Sequence, residues 1–164
     1  MRLVIFALGT LAAALGLALA ACSSSSNGGG GGSDPFVGSF ACTNTFTWTY
    51  TTPANWPQYS GTSSYSNSVT DTGNGTYSDT ITTDAGASCT LKHTYTGDTS
   101  TLVSGQTCTF GAITYAYTSG TATTSGITTS GNDAYNFTGT VTPDGGTATM
   151  VAGTGTGSSN CLKQ

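Results

Sequence analysis

Alternation of apolar and hydroxyl side chains is the feature that most limits what this chain can fold into. From Phe40 to Thr52 the sequence reads FACTNTFTWTYTT, and threonine takes every odd position from Thr43 to Thr51. Successive side chains of a strand point to opposite faces, so this period of two predicts one strand with an apolar face and a hydroxyl face. Threonine suits the solvated face because it is both β-branched and polar.

The same period recurs along the rest of the chain, with turn residues such as Gly, Asn and Asp between the segments. We predict seven further apolar faces: Tyr65, Asn67 and Val69; Tyr77, Asp79 and Ile81; Cys89, Leu91, His93 and Tyr95; Leu102, Ser104, Gln106, Cys108 and Phe110; Ile113, Tyr115 and Tyr117; Tyr135, Phe137 and Val141; Ala148, Met150 and Ala152. No helical period appears after the N-terminal segment. The pattern therefore predicts an all-β protein, an antiparallel up-and-down β-barrel of about eight strands, with a β-sandwich as the alternative.

The N-terminal segment has the pattern of a secretory signal, in which Arg2 precedes an apolar run from Leu3 to Ala21. A membrane-spanning helix is the alternative, because the run is almost long enough to cross a bilayer. The residues Leu19-Ala20-Ala21-Cys22 resemble the lipobox of bacterial lipoproteins. That resemblance implies that residues 1–21 are a lipoprotein signal peptide and that Cys22 is acylated, for example with palmitate, and becomes the first residue. It also implies that Ser23 directs the protein to the outer membrane.

The next residues, 22–33, are rich in Ser and Gly and predict a flexible tether between the lipid and a folded domain at 34–164. Once Arg2 is removed, only Lys92 and Lys163 oppose seven aspartates, so we expect no nucleic-acid partner. Eight tyrosines, six phenylalanines and two tryptophans predict a packed core rather than disorder. We expect a monomer that needs no cofactor.

The cysteines predict two disulfides. With Cys22 assigned to the lipid by the lipobox resemblance, an even set of four remains for an oxidising compartment. No CxxC spacing occurs and His93 is the only histidine, so we expect no metal site. The predicted pairs are Cys89–Cys108, from strand register, and Cys42–Cys161, by elimination.

The register argument depends on the turn that follows Thr96. If that turn spans 97–100, Tyr95 faces Leu102 and Cys89 faces Cys108 at a non-hydrogen-bonded pair, where the two Cβ atoms are close enough to be bridged. The second disulfide then ties the first strand to the C-terminal tail, as a closed barrel requires.

The start of the domain, FVGSFAC at Phe36 to Cys42, resembles the first-strand motif of lipocalin-like proteins. In that family a Gly-x-Trp motif begins the barrel, and Gly38-Ser39-Phe40 matches it with Phe in place of Trp. Eight strands joined by hairpin turns and a disulfide to the C-terminal tail fit the same family. The resemblance implies a lipocalin-like barrel that holds a small ligand.

Inward aromatic rings and two inward polar residues are the candidate ligand contacts. An eight-stranded barrel has room either for a filled interior or for one small ligand. Such a lining suits a small aromatic or amphipathic ligand, and the alternative is that the rings are simply the core. The candidates are Trp48, Tyr65, Asp79, His93, Tyr95, Tyr115 and Phe137.

Three inward polar residues have the types of a hydrolytic triad. If the turn after Thr83 is centred on Gly86, Asp79 lies opposite His93, and the register given above places His93 opposite Ser104. The alternative is a buried polar network that satisfies its own hydrogen bonds. Because no nucleophile elbow or oxyanion-hole signal accompanies these residues, we predict the network and no enzymatic activity.

We therefore expect a non-enzymatic, exported envelope protein held at the outer membrane by its N-terminal lipid and facing the periplasm or the cell surface. Its barrel would bind a small amphipathic or aromatic ligand. The alternative is a cell-surface adhesion or glycan-binding module that acts through its loops, marked by Trp56 and Tyr59 in the Pro-rich segment between the first two strands.

Overall fold

The computed structural model describes residues 34–142 and 146–164, and it contains no α-helix there, hence none long and apolar enough to span a membrane. The predicted signal peptide, the predicted acylation site at Cys22 and the predicted tether lie outside the described residues. Nine β-strands follow one another in the part described: β1 Gly38–Thr52, β2 Tyr59–Gly73, β3 Thr76–Thr83, β4 Ser88–Thr96, β5 Thr99–Leu102, β6 Thr107–Phe110, β7 Ile113–Ser125, β8 Thr128–Val141 and β9 Thr149–Lys163.

The strands form one antiparallel sheet that closes on itself. Their order is β5-β4-β3-β2-β1-β9-β8-β7-β6, and β5 also pairs with β7. Because β5 and β6 pair with different parts of β7, they are two pieces of one strand position. The result is a closed up-and-down barrel of eight strand positions, which confirms the predicted fold class. The alternative of two packed sheets is not formed.

A glutamine side chain bridges the break between β5 and β6. The amide nitrogen of Lys92 in β4 donates to Gln106 Oε1 at 2.7 Å, and Gln106 Nε2 donates to the carbonyl oxygens of Lys92 at 2.8 Å and Val103 at 2.7 Å. The side-chain amide thus takes the place of a peptide group in the ladder, so the backbone groups of β4 remain hydrogen-bonded where the neighbouring strand leaves the sheet.

The break also corrects the predicted register. Thr96 pairs with Thr99, so the turn is tighter than predicted, and Leu102 lies opposite His93 rather than opposite Tyr95. The irregular residues 103–106 then add two residues that have no partner in the regular pairing with β4, and this offsets the two-residue shift caused by the tighter turn. For this reason Cys89 still meets Cys108, although the register at the turn was predicted wrongly.

Both predicted disulfides are present. Cys42 is bonded to Cys161, and the two residues are direct partners in the ladder between β1 and β9. Cys89 of β4 is bonded to Cys108 of β6, which is the second piece of the interrupted strand position. The first bond ties the start of the barrel to its last strand over a sequence separation of 119 residues.

Strand β9 presents glycines to the interior, and larger side chains of β8 cover them. A Cβ at Gly153, Gly155 or Gly157 would overlap, in turn, Phe137, Tyr135 and Asp133. The predicted inward face of Ala148, Met150 and Ala152 is wrong, since Met150 is 72% exposed and Val151 is 1% exposed. The hydropathy pattern failed here because the true inward positions carry almost no side chain.

Aromatic rings fill one half of the barrel, which we call the aromatic half. Its buried core consists of Tyr50, Ile113, Tyr135, Phe137 and Val151, with Trp48, Trp56, Tyr59 and Tyr115 packed against them. Trp48 and Phe137 have ring centroids 4.8 Å apart, and Trp56 packs edge-on against Tyr50 at 5.3 Å. The loop between β1 and β2 therefore closes this end of the barrel.

Replacing Gly155 by alanine tests this packing. We expect Gly155→Ala to reduce the free energy of unfolding by about 2 kcal/mol, because the added methyl displaces the Tyr135 ring and breaks its 3.1 Å hydrogen bond from Trp48 Nε1. Thr154→Ala, on the exposed face of the same strand, is the control. Urea unfolding measures both, and equal losses in the two variants would contradict the packing.

Candidate ligand-binding site

The other half of the barrel contains a cavity of about 120 Å³, and we call it the hollow half. Inward residues from every strand except β6 form its wall. The space exists because the inward positions of β7, β8 and β9 in this half carry small residues: Gly120, Ala122, Gly131 and Ser159. In the aromatic half rings lie against Gly153 and Gly155, whereas here Leu102 lies against Gly120 and only backbone and small side chains lie closest to Gly131.

Four polar residues face these small residues from β2 to β5, and we call them the polar cluster: Asn67, Asp79, His93 and Ser100. Asn67 Nδ2 donates to Asp79 Oδ2 at 3.1 Å. His93 Nε2 lies 3.8 Å from the same oxygen, and His93 Nδ1 is hydrogen-bonded to the Ser100 hydroxyl at 3.0 Å. The alternation of β2, β3 and β4 places the first three of these side chains inside, as the sequence predicts.

Burial controls the charge of the cluster. Loss of hydration raises the pKa of Asp79 to about 7 and lowers the pKa of His93 to about 4. Near pH 7 His93 is therefore neutral, and the Asp79 carboxyl is divided between its protonated and ionised forms. Burial also raises the pKa of Tyr65 to about 12, so its phenol stays neutral.

Four buried polar atoms of the cavity wall find no hydrogen-bond partner within residues 34–142 and 146–164, and we call them the orphan atoms: Asn67 Oδ1, Asp79 Oδ1, His93 Nε2 and Asp133 Oδ1. An unsatisfied buried polar atom costs about 1–3 kcal/mol. A ligand that reached these atoms would supply the missing partners.

Asp133, on β8, was not predicted as a site residue. Burial raises the pKa of its carboxyl, as it does for Asp79. Asn132 and Asp133 lie outside the face predicted for this strand, which begins at Tyr135. The sequence does contain a signal for this residue. Asp133 precedes the inward Tyr135 by two positions, and residues two apart in a strand face the same side of the sheet.

The predicted ligand contacts separate into two groups. Tyr65, Asp79, His93 and Tyr95 line the cavity. The other three, Trp48, Tyr115 and Phe137, pack together in the aromatic half and do not line it. Alternation placed all seven inside, but it gave no information on their height along the barrel axis.

The predicted Asp79–His93–Ser104 row is wrong. Asp79 pairs with Leu91, His93 faces Leu102, and Ser104 is exposed in the break between β5 and β6. The reason is that each of the two hairpin turns is centred one residue earlier than predicted. Ser100, which is 5% exposed, takes the position beside His93 instead.

Residues 34–37 cover the barrel end next to the cavity. Phe36 is 4% exposed and belongs to the cavity wall. The Tyr77 hydroxyl donates to the Asp34 carboxylate, and Lys163 Nζ donates to the carbonyl oxygen of Asp34 at 3.2 Å. The segment that follows the predicted tether is thus bonded to β3 and to the end of β9.

Within the part of the chain that the structure describes, no group of three or more His, Cys, Asp or Glu side chains is arranged to hold a metal ion.

No protein-family model matches the chain, and no curated protein matches it. Among solved structures, the chain is similar to a protein of unknown function of the DUF3598 family from Nostoc punctiforme, with 9% sequence identity and a TM-score of 0.32. The similarity covers 79% of this chain and 48% of that one, so the chain spans about half the length of this relative.

The shifted pKa values of Asp79 and His93 predict opposite dependences of stability on pH. Between about pH 4 and 7 native Asp79 keeps a proton that the unfolded chain has lost, so its contribution to stability falls as pH rises. Between about pH 4 and 6.5 unfolded His93 holds a proton that the native state lacks, so its contribution rises with pH. The two contributions offset each other in the wild type.

The variant Asp79→Asn removes only the contribution of Asp79, which is the one that lowers the free energy of unfolding as pH rises. We expect the stability of this variant, relative to the wild type, to increase by a few kcal/mol between pH 4 and pH 7, on the order of 1.4 kcal/mol per pKa unit. Urea unfolding at pH 4, 5.5 and 7 measures the difference. Asp98→Asn, at an exposed turn residue, is the control and should give a constant difference. Parallel profiles for wild type and Asp79→Asn would contradict the assignment.

Proposed function

We propose that this protein binds one small molecule inside the hollow half of its barrel, without catalysing a reaction. The observation that carries the proposal is a cavity whose lining residues include aromatic rings and the four residues that carry the orphan atoms. A cavity of about 150 Å³ is known to accept a benzene molecule, so about 120 Å³ is suited to a ligand of similar size. The eight-strand architecture and the Gly38-Ser39-Phe40 motif support a lipocalin-like carrier.

We also propose that a lipid on Cys22 anchors the barrel to the outer membrane, facing the periplasm or the cell surface. The support is the lipobox resemblance of Leu19-Ala20-Ala21-Cys22 and the Ser/Gly-rich residues that follow it. Two disulfides fit an exported protein, because such bonds persist in oxidising compartments. As a monomer on a tether, the barrel would present its cavity near the membrane surface.

The alternative of an adhesion or glycan-binding module has less support. Trp56 and Tyr59, the residues that marked it, are half-buried and pack against the aromatic half instead of projecting into solvent. A stacking platform for a sugar or a partner surface requires exposed ring faces. We therefore favour the cavity over the loops.

Native mass spectrometry of the full-length protein, purified after export in its host, tests the binding proposal. We expect a mass larger than that of the bare chain, and we expect the excess to be lost on denaturation. Ala122→Leu should abolish the excess, because Ala122 lines the cavity and leucine adds three carbon atoms to it. Ala152→Leu, on the outward face of β9, is the matched control and should retain it.

A bare wild-type protein that also binds no member of a small-molecule fragment panel in ligand-observed NMR would contradict the proposal. Covalent labelling of Ser100 by a serine-reactive probe would contradict the non-enzymatic part of it. Ser100 is the residue to examine because its hydroxyl lies beside His93 in the cavity wall.

A Cys22→Ser variant tests the anchor. We expect the wild type to incorporate labelled palmitate and to fractionate with the outer membrane, and we expect the variant to lose both properties because the acylated thiol is absent. Ser24→Ala leaves the thiol intact and serves as the control. Continued membrane association of unlabelled Cys22→Ser would show that another segment holds the protein there.

A further inference from the structure

The orphan atoms of the cavity wall lack hydrogen-bond donors. Asn67 Nδ2 donates to a carboxylate oxygen, which fixes the orientation of this amide and leaves Oδ1 as an acceptor. Asp79 Oδ1 and Asp133 Oδ1 are carboxyl oxygens, so they too accept when ionised. Three of the four orphan atoms therefore await a donor, and His93 Nε2 serves as donor or acceptor according to its tautomer.

The charge of the wall has one sign. The cavity lining, as the structure describes it, includes the carboxyl groups of Asp79 and Asp133 and no lysine or arginine. Asp79 is 9% exposed, so little water screens its charge. A ligand that carries positive charge would be attracted to such a wall, whereas a carboxylate or phosphate ligand would be repelled.

Aromatic rings line the same cavity as the two carboxyl groups. Phe36, Phe40, Tyr65, Tyr95 and Tyr117 all line the same cavity. The face of an aromatic ring attracts a cation, and the attraction is stronger where water is excluded. Rings and carboxylates together favour a compact cation with an apolar body over a neutral apolar ligand.

We propose that the hollow half selects a small primary amine in its ammonium form, with the ammonium group at Asp79 and Asn67 and the apolar body against the aromatic rings. This inference rests on the proposed function and narrows its ligand class. An ammonium group has three N–H donors, and the residues that line the cavity offer unpartnered acceptors at Asp79, Asn67 and Asp133. The selection is by charge and donor number, since the cavity volume admits anionic and neutral molecules of equal size.

Binding of an ammonium ion would also convert Asp79 to its ionised form. The titratable groups around this carboxyl are His93 of β4 and the phenols of Tyr65, Tyr77 and Tyr95. Burial raises the pKa of Tyr95 and lowers that of His93, so none of them changes charge near pH 7. Asp79 and Asp133, whose pKa burial also raises, are then the groups whose ionisation responds to the ligand.

Three probes of nearly the same shape test the proposal: benzylamine, benzyl alcohol and benzoate, which are a cation, a neutral molecule and an anion at pH 7. Each is titrated by NMR into the full-length protein in a nonionic detergent. We expect benzylamine to bind about tenfold more tightly than benzyl alcohol, because charge-assisted hydrogen bonds to a buried carboxylate replace neutral ones. We expect benzoate to bind more weakly than both.

Two variants locate the interaction. Asp79→Asn should weaken benzylamine binding about tenfold and leave benzyl alcohol binding unchanged, because only the charge of the side chain is lost. Asp98→Asn removes the same charge from an exposed turn and should change neither affinity. Asp133→Asn serves as a second cavity variant if Asp79→Asn does not fold, and we expect it to weaken benzylamine binding in the same direction.

The outcomes separate the two proposals. Equal affinities for benzylamine and benzyl alcohol, or tighter binding of benzoate, would overturn the selection of an amine and leave ligand binding in the cavity intact. Equal loss of benzylamine affinity in Asp79→Asn and Asp98→Asn would overturn the placement of the ammonium group at Asp79. The absence of saturable binding for all three probes would overturn both proposals.

Discussion

Closure of the sheet is the constraint on which the rest of this structure depends. Eight strand positions give an interior that side chains either fill or leave open for one small ligand. Every inward residue therefore competes for one limited volume. In the aromatic half, β9 contributes glycines and the rings of Tyr135 and Phe137 use the room beside them. In the hollow half, the small residues Gly120, Ala122 and Gly131 face the interior, and a cavity remains.

The same closure determines the chemistry of the polar cluster. A carboxyl group on an open sheet would face water, but Asp79 points into a closed interior and loses most of its hydration. Its neighbours only partly replace the lost water, because Asn67 donates to one oxygen and His93 Nε2 remains 3.8 Å away. The site is thus a set of polar groups held in place by strand pairing and left short of donors, an arrangement that suits binding better than structural support.

Alternation predicted much of this architecture correctly. The inward faces of β1 to β4 and the eight-strand barrel followed from the period of two. Both disulfides were also predicted correctly, although Cys89 meets Cys108 only because the break offsets the error in the predicted register. The alternation pattern failed along β9, where several of the buried positions are glycines and carry no apolar side chain to mark them. It also failed after Thr96, where a tighter turn than predicted shifts the strand register. The site prediction inherited the second error, because Ser104 was placed where Ser100 lies.

The sequence by itself determined which side chains face inward along most strands, since that depends only on the alternation of a single extended segment. Only the tertiary structure decided the height of each residue along the barrel axis and its partner on the opposite wall. Turn length, the break bridged by Gln106 and the bulge in β7 set these, and the alternation within a single strand reports none of the three. For that reason the pattern placed Trp48 and Tyr65 in one predicted site, whereas the folded barrel puts Trp48 in its packed half and Tyr65 beside the cavity.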